Sequence, residues 1–456
     1  MDGDLANRTQ AVDLTRTLAE RASTVSHDAL PEPVRALARQ CVLDYYGVAL
    51  AGAGDPLVRI LLDELSEAGG DTQASAIGHK TRLPILSAAL VNGAAGHALD
   101  YDDVNLAMPG HPSVAILPGL LALAEQRQSP GREVIAAFVA GYETACRIGA
   151  ALRPGHYDLG FHATGTVGCF GAAAACARLL GLDGEATAQA LGIAGTQAAG
   201  LKSQFGTMCK PFHAGKASQN GLLAARLAAR GFSSRSDLVE CEQGFALTHG
   251  PDFRPEAALA DPPNGFHILA NLFKYHAACY LTHGPIESAR AVREKHGVRP
   301  EQIARITLKL DRSCDRVCNI PAPADGLEAK FSLRQTVAMA LAGIDTASLG
   351  AYSTATATDP RLVALRERVA LDFQDGWPQA AAEIEVALND GRVLRAAHDA
   401  GIPSADIAAQ GERLAAKFDA LAEPILGAAR ARELRRAIDR LDALPDAGEI
   451  ARLAAR

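Results

Sequence analysis

The chain has 456 residues, 48% hydrophobic and 21% charged, the balance of a globular protein, which excludes intrinsic disorder as the main state. Lys plus Arg numbers 45 against 52 Asp plus Glu, a formal charge of −7. With no long basic run, nucleic acid is not an expected partner, and an anionic ligand needs a local cationic pocket.

The N-terminal segment MDGDLANRTQ is acidic and polar and does not read as a secretory signal. Aromatics make up only 5%, and the abundance of Ala and other small residues favours closely packed helices. Over the first 260 or so residues the pattern predicts helix after helix. Pro31 and Pro33 suit a helix start, and Val34, Leu37, Ala38, Cys41, Val42 and Tyr45 form an apolar stripe across 31–51. Pro84 introduces an Ala-rich run over 85–99, and Ser129-Pro130-Gly131 punctuates before a helix over 133–152. Helices follow over 163–181 and 185–199, separated by a C-cap and turn at Gly181-Leu182-Asp183-Gly184. The most apolar stretches, around 134–152 and 167–182, contain Glu143, Arg147 and Arg178 and read as buried helices rather than membrane spans.

The texture changes near 300. Residues 305–310 and 383–388 alternate as half-buried strands, and Asn389-Asp390-Gly391 before 392–394 signals a hairpin. Helical stretches lie between them, at 332–341 and 360–368. After Pro403 amphipathic helix returns, with Leu414, Phe418 and Leu421, then Leu434, Ile438 and Leu441. The expected architecture is mainly α: an all-helical domain from 1–266 with 401–456, interrupted by a smaller α+β domain over 267–400. Nine cysteines with no CxxC pair argue against a disulfide framework or structural zinc and fit a reducing cytoplasm.

Candidate chemistry concentrates in four segments. In 97–113, His97, Asp100, Asp102, Asp103 and His111 crowd the end of an apolar helix. Carboxylates beside a histidine can orient its imidazole for acid/base work, but the same aspartates can cap helices, and the spacing matches no metal-ligand pattern. His162, in Gly160-Phe161-His162-Ala163-Thr164-Gly165-Thr166, precedes a helix whose N-terminal amides suit an anion; a capping role is equally open. Lys210 stands before Pro211 in a run that continues through His213 and Lys216, and Lys274 lies between aromatics ahead of His276 and His283. Each lysine can bind a carboxylate as a point charge or simply reach solvent. No GxGxxG follows a strand and no GK[ST] loop is present, which argues against a nucleotide.

Taken in order, "NGAAGHALDYDD", "GHPS", "PGLLALAE", "GFHATGTVG", "ARLLGLD", "LGIAGTQAAGL", "CKPFHAGKA" and "LEAKFSL" resemble the MmgE/PrpD family over roughly 10–400. That resemblance implies a large all-helical domain and a smaller α+β lid with the active site between them. It also implies a homodimer that uses no metal or organic cofactor. By motif it places catalytic roles on Asp100, His111, His162, Lys210 and Lys274, and makes Asp103, His213, Lys216 and His283 candidates for substrate binding. His111, oriented by Asp100, is expected to move the proton, with Lys210, Lys274 and His162 supplying a cationic pocket.

The family's reactions, dehydration of 2-methylcitrate, decarboxylation of cis-aconitate and epimerisation of iminodisuccinate, all develop negative charge beside an existing carboxylate. The expected partner is therefore a small anionic carboxylate, and neither nucleic acid nor membrane. Hydro-lyase chemistry on a 2-methylcitrate-like acid is the leading expectation, with epimerisation of an aminodicarboxylate as the alternative. Decarboxylation and an inactive scaffold rank lower. Val104 stands where the resembling decarboxylases carry a threonine, and the loop to His111 is about one residue longer.

Overall fold

The computed structural model describes residues 13–456; the polar segment at 1–12 lies outside the described residues. The chain divides into two compact units: the chain up to Asn271 with Asp406–Arg456, and Leu272–Ala405. It is mainly α-helical, and its four-stranded sheet lies in the second unit.

The first unit begins with α1 (Leu14–Ser23), α2 (Glu32–Gly52) and α3 (Pro56–Glu67). A short antiparallel ribbon, β1 (Ala74–Ser75) with β2 (Arg82–Leu83), leads into α4 (Ile85–His97). Two residues per strand are too few for an alternating pattern, so this ribbon left no sequence signal. Then come α5 (Pro112–Arg127), α6 (Gly131–Leu152), the single turn α7 (Gly155–Asp158), α8 (Ala163–Leu180), α9 (Gly184–Gly195) and α10 (Cys209–Ala228). The prediction of unbroken helices stops here. Glycines and prolines at 231, 244, 250, 251, 255, 262, 263 and 265 leave only short helices, Phe245–His249 and Pro255–Leu259, up to Leu259.

Small residues let the central helices touch backbone to backbone. A Cβ on Gly93 of α4 would stand 2.6 Å from Cα of Gly215 of α10, and one on Gly215 would stand 2.2 Å from the carbonyl oxygen of Leu90. A Cβ on Gly141 of α6 would stand 2.3 Å from the carbonyl oxygen of Gly171 of α8. These approaches are closed to any larger residue, and they fix how far α10 slides along α4. As expected for core helices, α6 and α8 are 89% and 83% buried over their most apolar windows, although each is long and apolar enough to cross a membrane. The C-terminal helices Ile407–Leu426, Ala428–Asp439 and Gly448–Ala454 complete this unit, with the Phe418 ring 3.4 Å from a Cβ position on Gly47 of α2.

The second unit holds β3 (Ile303–Asp311), β4 (Val369–Gln374), β5 (Ala381–Leu388) and β6 (Val393–Asp399) in the order β4-β3-β5-β6. β3 runs parallel to β4 and antiparallel to β5. The predicted hairpin is β5–β6, closed through Gly391 at φ 87°, a conformation glycine adopts without steric cost. β4 went unanticipated because it is an edge strand, with a burial pattern that is mostly half-exposed. Ile306, Leu308 and Leu310 of β3, Ile384 and Val386 of β5, and Val337 and Leu341 of the helix Leu333–Leu341 build its core. The helix His283–His296 packs on β5 and β6.

Candidate active site

Four helix ends meet within the first unit. His97 closes α4, His111 is the N-cap of α5 with Pro112 behind it, His162 is the N-cap of α8, and Lys210 lies in the first turn of α10. The α8 and α5 starts are joined directly, since the His111 amide donates to the Thr164 hydroxyl at 3.1 Å. Three helix N-termini gather here and contribute partial positive charge, which suits an anion, although the first amides of α5 and α10 are already engaged, Ser113 on Asp103 and Cys209 and Lys210 on Thr207.

The link from α4 to α5 supplies the carboxylates. The Asp100 amide closes a turn on the His97 carbonyl at 3.1 Å, with Asp100 itself in the left-handed region at φ 51°. Aspartate tolerates that region better than most residues. The turn separates the roles of neighbouring carboxylates. Asp102, 1% exposed, places Oδ1 2.9 Å from Nδ1 of His97 and Oδ2 3.1 Å from Nδ1 of His111. The His111 contact is an ion-pair approach off the N–H direction rather than a formed hydrogen bond. Asp100 Oδ1 instead takes the Lys210 ammonium at 2.8 Å and stands 3.7 Å from Nε2 of His111. Asp102 therefore stands nearer His111 than Asp100 does, whereas the sequence placed Asp100 beside that imidazole.

The rings gather closely. His97 is edge-on to His111 at 4.6 Å between centroids and stacks over His162 at 5.8 Å, and Nδ1 of His162 meets Nδ1 of His213 at 3.2 Å. Burial tends to raise the Asp102 carboxyl, but the His111 and His97 imidazoles outweigh it and hold the group well below the usual carboxylate range. Burial is also the largest influence on His97 and His162: it lowers His97 to about 4, against the pull of Asp102, and holds His162 well below 6.5. His97 and His162 are thus neutral hydrogen-bonding groups near neutral pH. This corrects the expectation that His162 serves as a pocket cation; Lys210 carries that charge here.

His111, Asp100, His162, Lys210 and His213 are brought together. Asp103, Lys216, Lys274 and His283 each have surroundings of their own within their units. Asp103 is buried and engaged by the Ser113 hydroxyl, beside Cys41 and Asp44, and burial pushes its carboxyl up to about 7. Lys216 is tied to Gln219 of its own helix at 2.5 Å. Lys274 and His283 belong to the second unit, where both are buried and His283 lies edge-on to His276 at 5.0 Å. Val104 is buried and presents no hydroxyl. His97 and Asp102 were visible in the 97–113 run but had no assigned role; the signal was their five-residue separation across a helix end. One ligand atom each from His97, Asp100, Asp102 and His111 lies within 4.8 Å of the others, a grouping that could hold a metal ion. The Lys210 ammonium already neutralises Asp100 in that group.

A helical unit that gathers imidazoles, carboxylates and a lysine at converging helix ends, with a separate α+β unit, defines an enzyme. The chain belongs to the MmgE/PrpD family: residues 16–258 match the MmgE/PrpD N-terminal domain and 276–443 the MmgE/PrpD C-terminal domain. It is 27% identical to the cis-aconitate decarboxylase of Aspergillus terreus (strain NIH 2624 / FGSC A1156), over 95% of this chain and 94% of the relative. It is 29% identical to the cis-aconitate decarboxylase of Mus musculus, covering 91% and 88%. Identity to the cis-aconitate decarboxylase of Homo sapiens is 28%, covering 83% and 82%.

Proposed function

We propose that this enzyme is a lyase of small tricarboxylates that moves a proton at a carbon next to a carboxylate. The observation that carries the reading is the Asp102–His111 pair set beside Lys210 at three helix N-termini. In the proposed mechanism the Asp102 contact lines up on the Nδ1–H of His111 when substrate binds, as catalytic hydrogen bonds commonly tighten in the complex, and leaves the Nε2 lone pair to act as base. Abstraction from the carbon next to a carboxylate gives an enediolate. Lys210 and the positive ends of the helix dipoles then stabilise the added charge; a single positioned donor is worth roughly 100- to 1,000-fold in rate in comparable sites.

Two outcomes follow from such a site. In a hydro-lyase, His111 takes the α-proton and hands it to the departing β-hydroxyl, which leaves as water, so a 2-methylcitrate-like acid gives an alkene. Val104, without a hydroxyl, supports this outcome. In a decarboxylase, the C–C bond to a carboxylate breaks, CO2 departs, and protonated His111 quenches the carbanion. The decarboxylase names of relatives aligned along most of the chain support this second reading.

The test incubates the protein in deuterium oxide with 2-methylcitrate, cis-aconitate, citrate and iminodisuccinate, each followed by NMR. Alkene formation from 2-methylcitrate supports the hydro-lyase, and CO2 release with deuterium incorporation from cis-aconitate supports the decarboxylase. Deuterium at an inverted stereocentre of iminodisuccinate makes the protein an epimerase. Turnover of none removes the tricarboxylate reading.

A further inference from the structure

A buried ion pair joins the C-terminal helix to the run that carries Asp100 and Asp102. Lys417, on the helix Ile407–Leu426, is 8% exposed, and its Nζ lies 2.6 Å from Oδ1 of Asp44 on α2. The same ammonium donates to the Tyr101 carbonyl oxygen at 2.8 Å and stands 3.9 Å from the centroid of the Tyr101 ring. Tyr101 is itself 1% exposed and is the one residue between the two active-site carboxylates.

The geometry gives that contact leverage. The Tyr101 carbonyl belongs to the peptide that positions Asp102, and Asp100 on its other side is held at φ 51°. A buried carbonyl needs a donor, and the ammonium supplies one from outside the loop. Phe418, the next residue along, seats against Gly47 one turn from Asp44, so the ammonium is referenced to the α2 scaffold rather than to the loop it holds. An ion pair this deep is commonly replaceable by apolar side chains without loss of stability, so stability alone does not account for it.

We propose that Lys417 is a positioning residue for the reaction: locked by Asp44, it pins the Tyr101 carbonyl and thereby keeps Asp102 on His111 and Asp100 on Lys210. The proposal rests on the reading of the site given above.

The experiment compares the full-length parent with Lys417→Met, Lys417→Arg and the double variant Asp44→Asn/Lys417→Met. The double variant leaves no lone buried charge and guards against a single variant that fails to fold. With the acid the parent turns over, Lys417→Met and the double variant are expected to lower kcat roughly 10- to 100-fold, with KM within about three-fold. Lys417→Arg, which keeps the charge, recovers most of the loss. A folded double variant with the parent's kcat overturns the proposal. Crystal structures of the parent and the double variant add a readout independent of turnover. A rotated Tyr101 peptide with a lengthened Asp102–His111 contact supports the proposal, and an unchanged loop overturns it. If the parent turns over none of the acids, the reading of the site fails, while the crystallographic comparison still decides the role of Lys417.

Discussion

Asp102 Oδ2 lies 3.1 Å from Nδ1 of His111, closer than the 3.7 Å between Asp100 Oδ1 and Nε2, and the proposed mechanism gives Asp102 the orienting role. The expected consequence is asymmetric. Asp102→Asn favours the wrong tautomer and lowers kcat by roughly 100-fold or more, with little change in KM. His111→Ala falls at least as far. Steady-state kinetics of the two variants check this, and an Asp102→Asn enzyme within a few-fold of the parent removes the orienting role.

Lys210 is the cation of the cluster, 2.8 Å from Asp100. Replacing it by methionine keeps the length of the side chain and removes the charge, so KM for a tricarboxylate is expected to rise by roughly 10-fold or more and kcat to fall. Lys210→Arg restores part of the binding. Isothermal titration with a non-reacting tricarboxylate separates the binding loss from the rate loss.

Asp103 gives a pH signature in stability. Burial raises its carboxyl to about 7 from an ordinary 3.8, so the folded state holds this proton more tightly than the unfolded chain. For a raised pKa the contribution is fully present below about 3.8 and is lost as pH rises through about 7. Between pH 6 and 8 the parent is therefore expected to lose melting temperature that Asp103→Asn keeps. Glu143, raised to about 7 mainly by burial, adds a similar slope to both proteins and cancels in the difference. Identical slopes for the two proteins in thermal melts contradict the assignment.

The α4–α10 crossing is tested by glycine replacement. Gly93→Ala pushes a Cβ to 2.6 Å from backbone of Gly215, and the overpacking is expected to cost about 1–3 kcal/mol. Gly54→Ala, with open space around the new Cβ, is the control and stays within about 1 kcal/mol. Chemical denaturation measures both. Because α10 carries Lys210, Gly93→Ala is also expected to depress activity beyond its effect on stability.

Much of the helical unit was legible in the chain because periodicity and punctuation are local. The stripe at 31–51 became α2, the Pro84 signal became the start of α4, and Asp390-Gly391 closed the β5–β6 hairpin. The motifs also named His111, Asp100, His162 and Lys210, which the fold brings from three separate helix starts and a loop into one cluster. What they could not separate were Asp100, Asp102 and Asp103. Three carboxylates within four positions look alike in sequence, and their division of labour follows from one left-handed residue and from what α2, α4, α5 and α10 place beside each.

Local preference, then, told where helices start and stop, which runs alternate, and which ionisable residues stand at helix ends, because those properties depend on neighbours a few residues away. Charge state and partnership belong to the folded chain. His162 is neutral because it is buried among other imidazoles, Asp103 binds its proton more tightly than a solvated carboxylate because burial and the nearby Asp44 outweigh the Ser113 hydroxyl, and Asp102 stays ionised because two histidines from separate helix ends converge on it. Desolvation and through-space charge act over distances that the order of residues does not record.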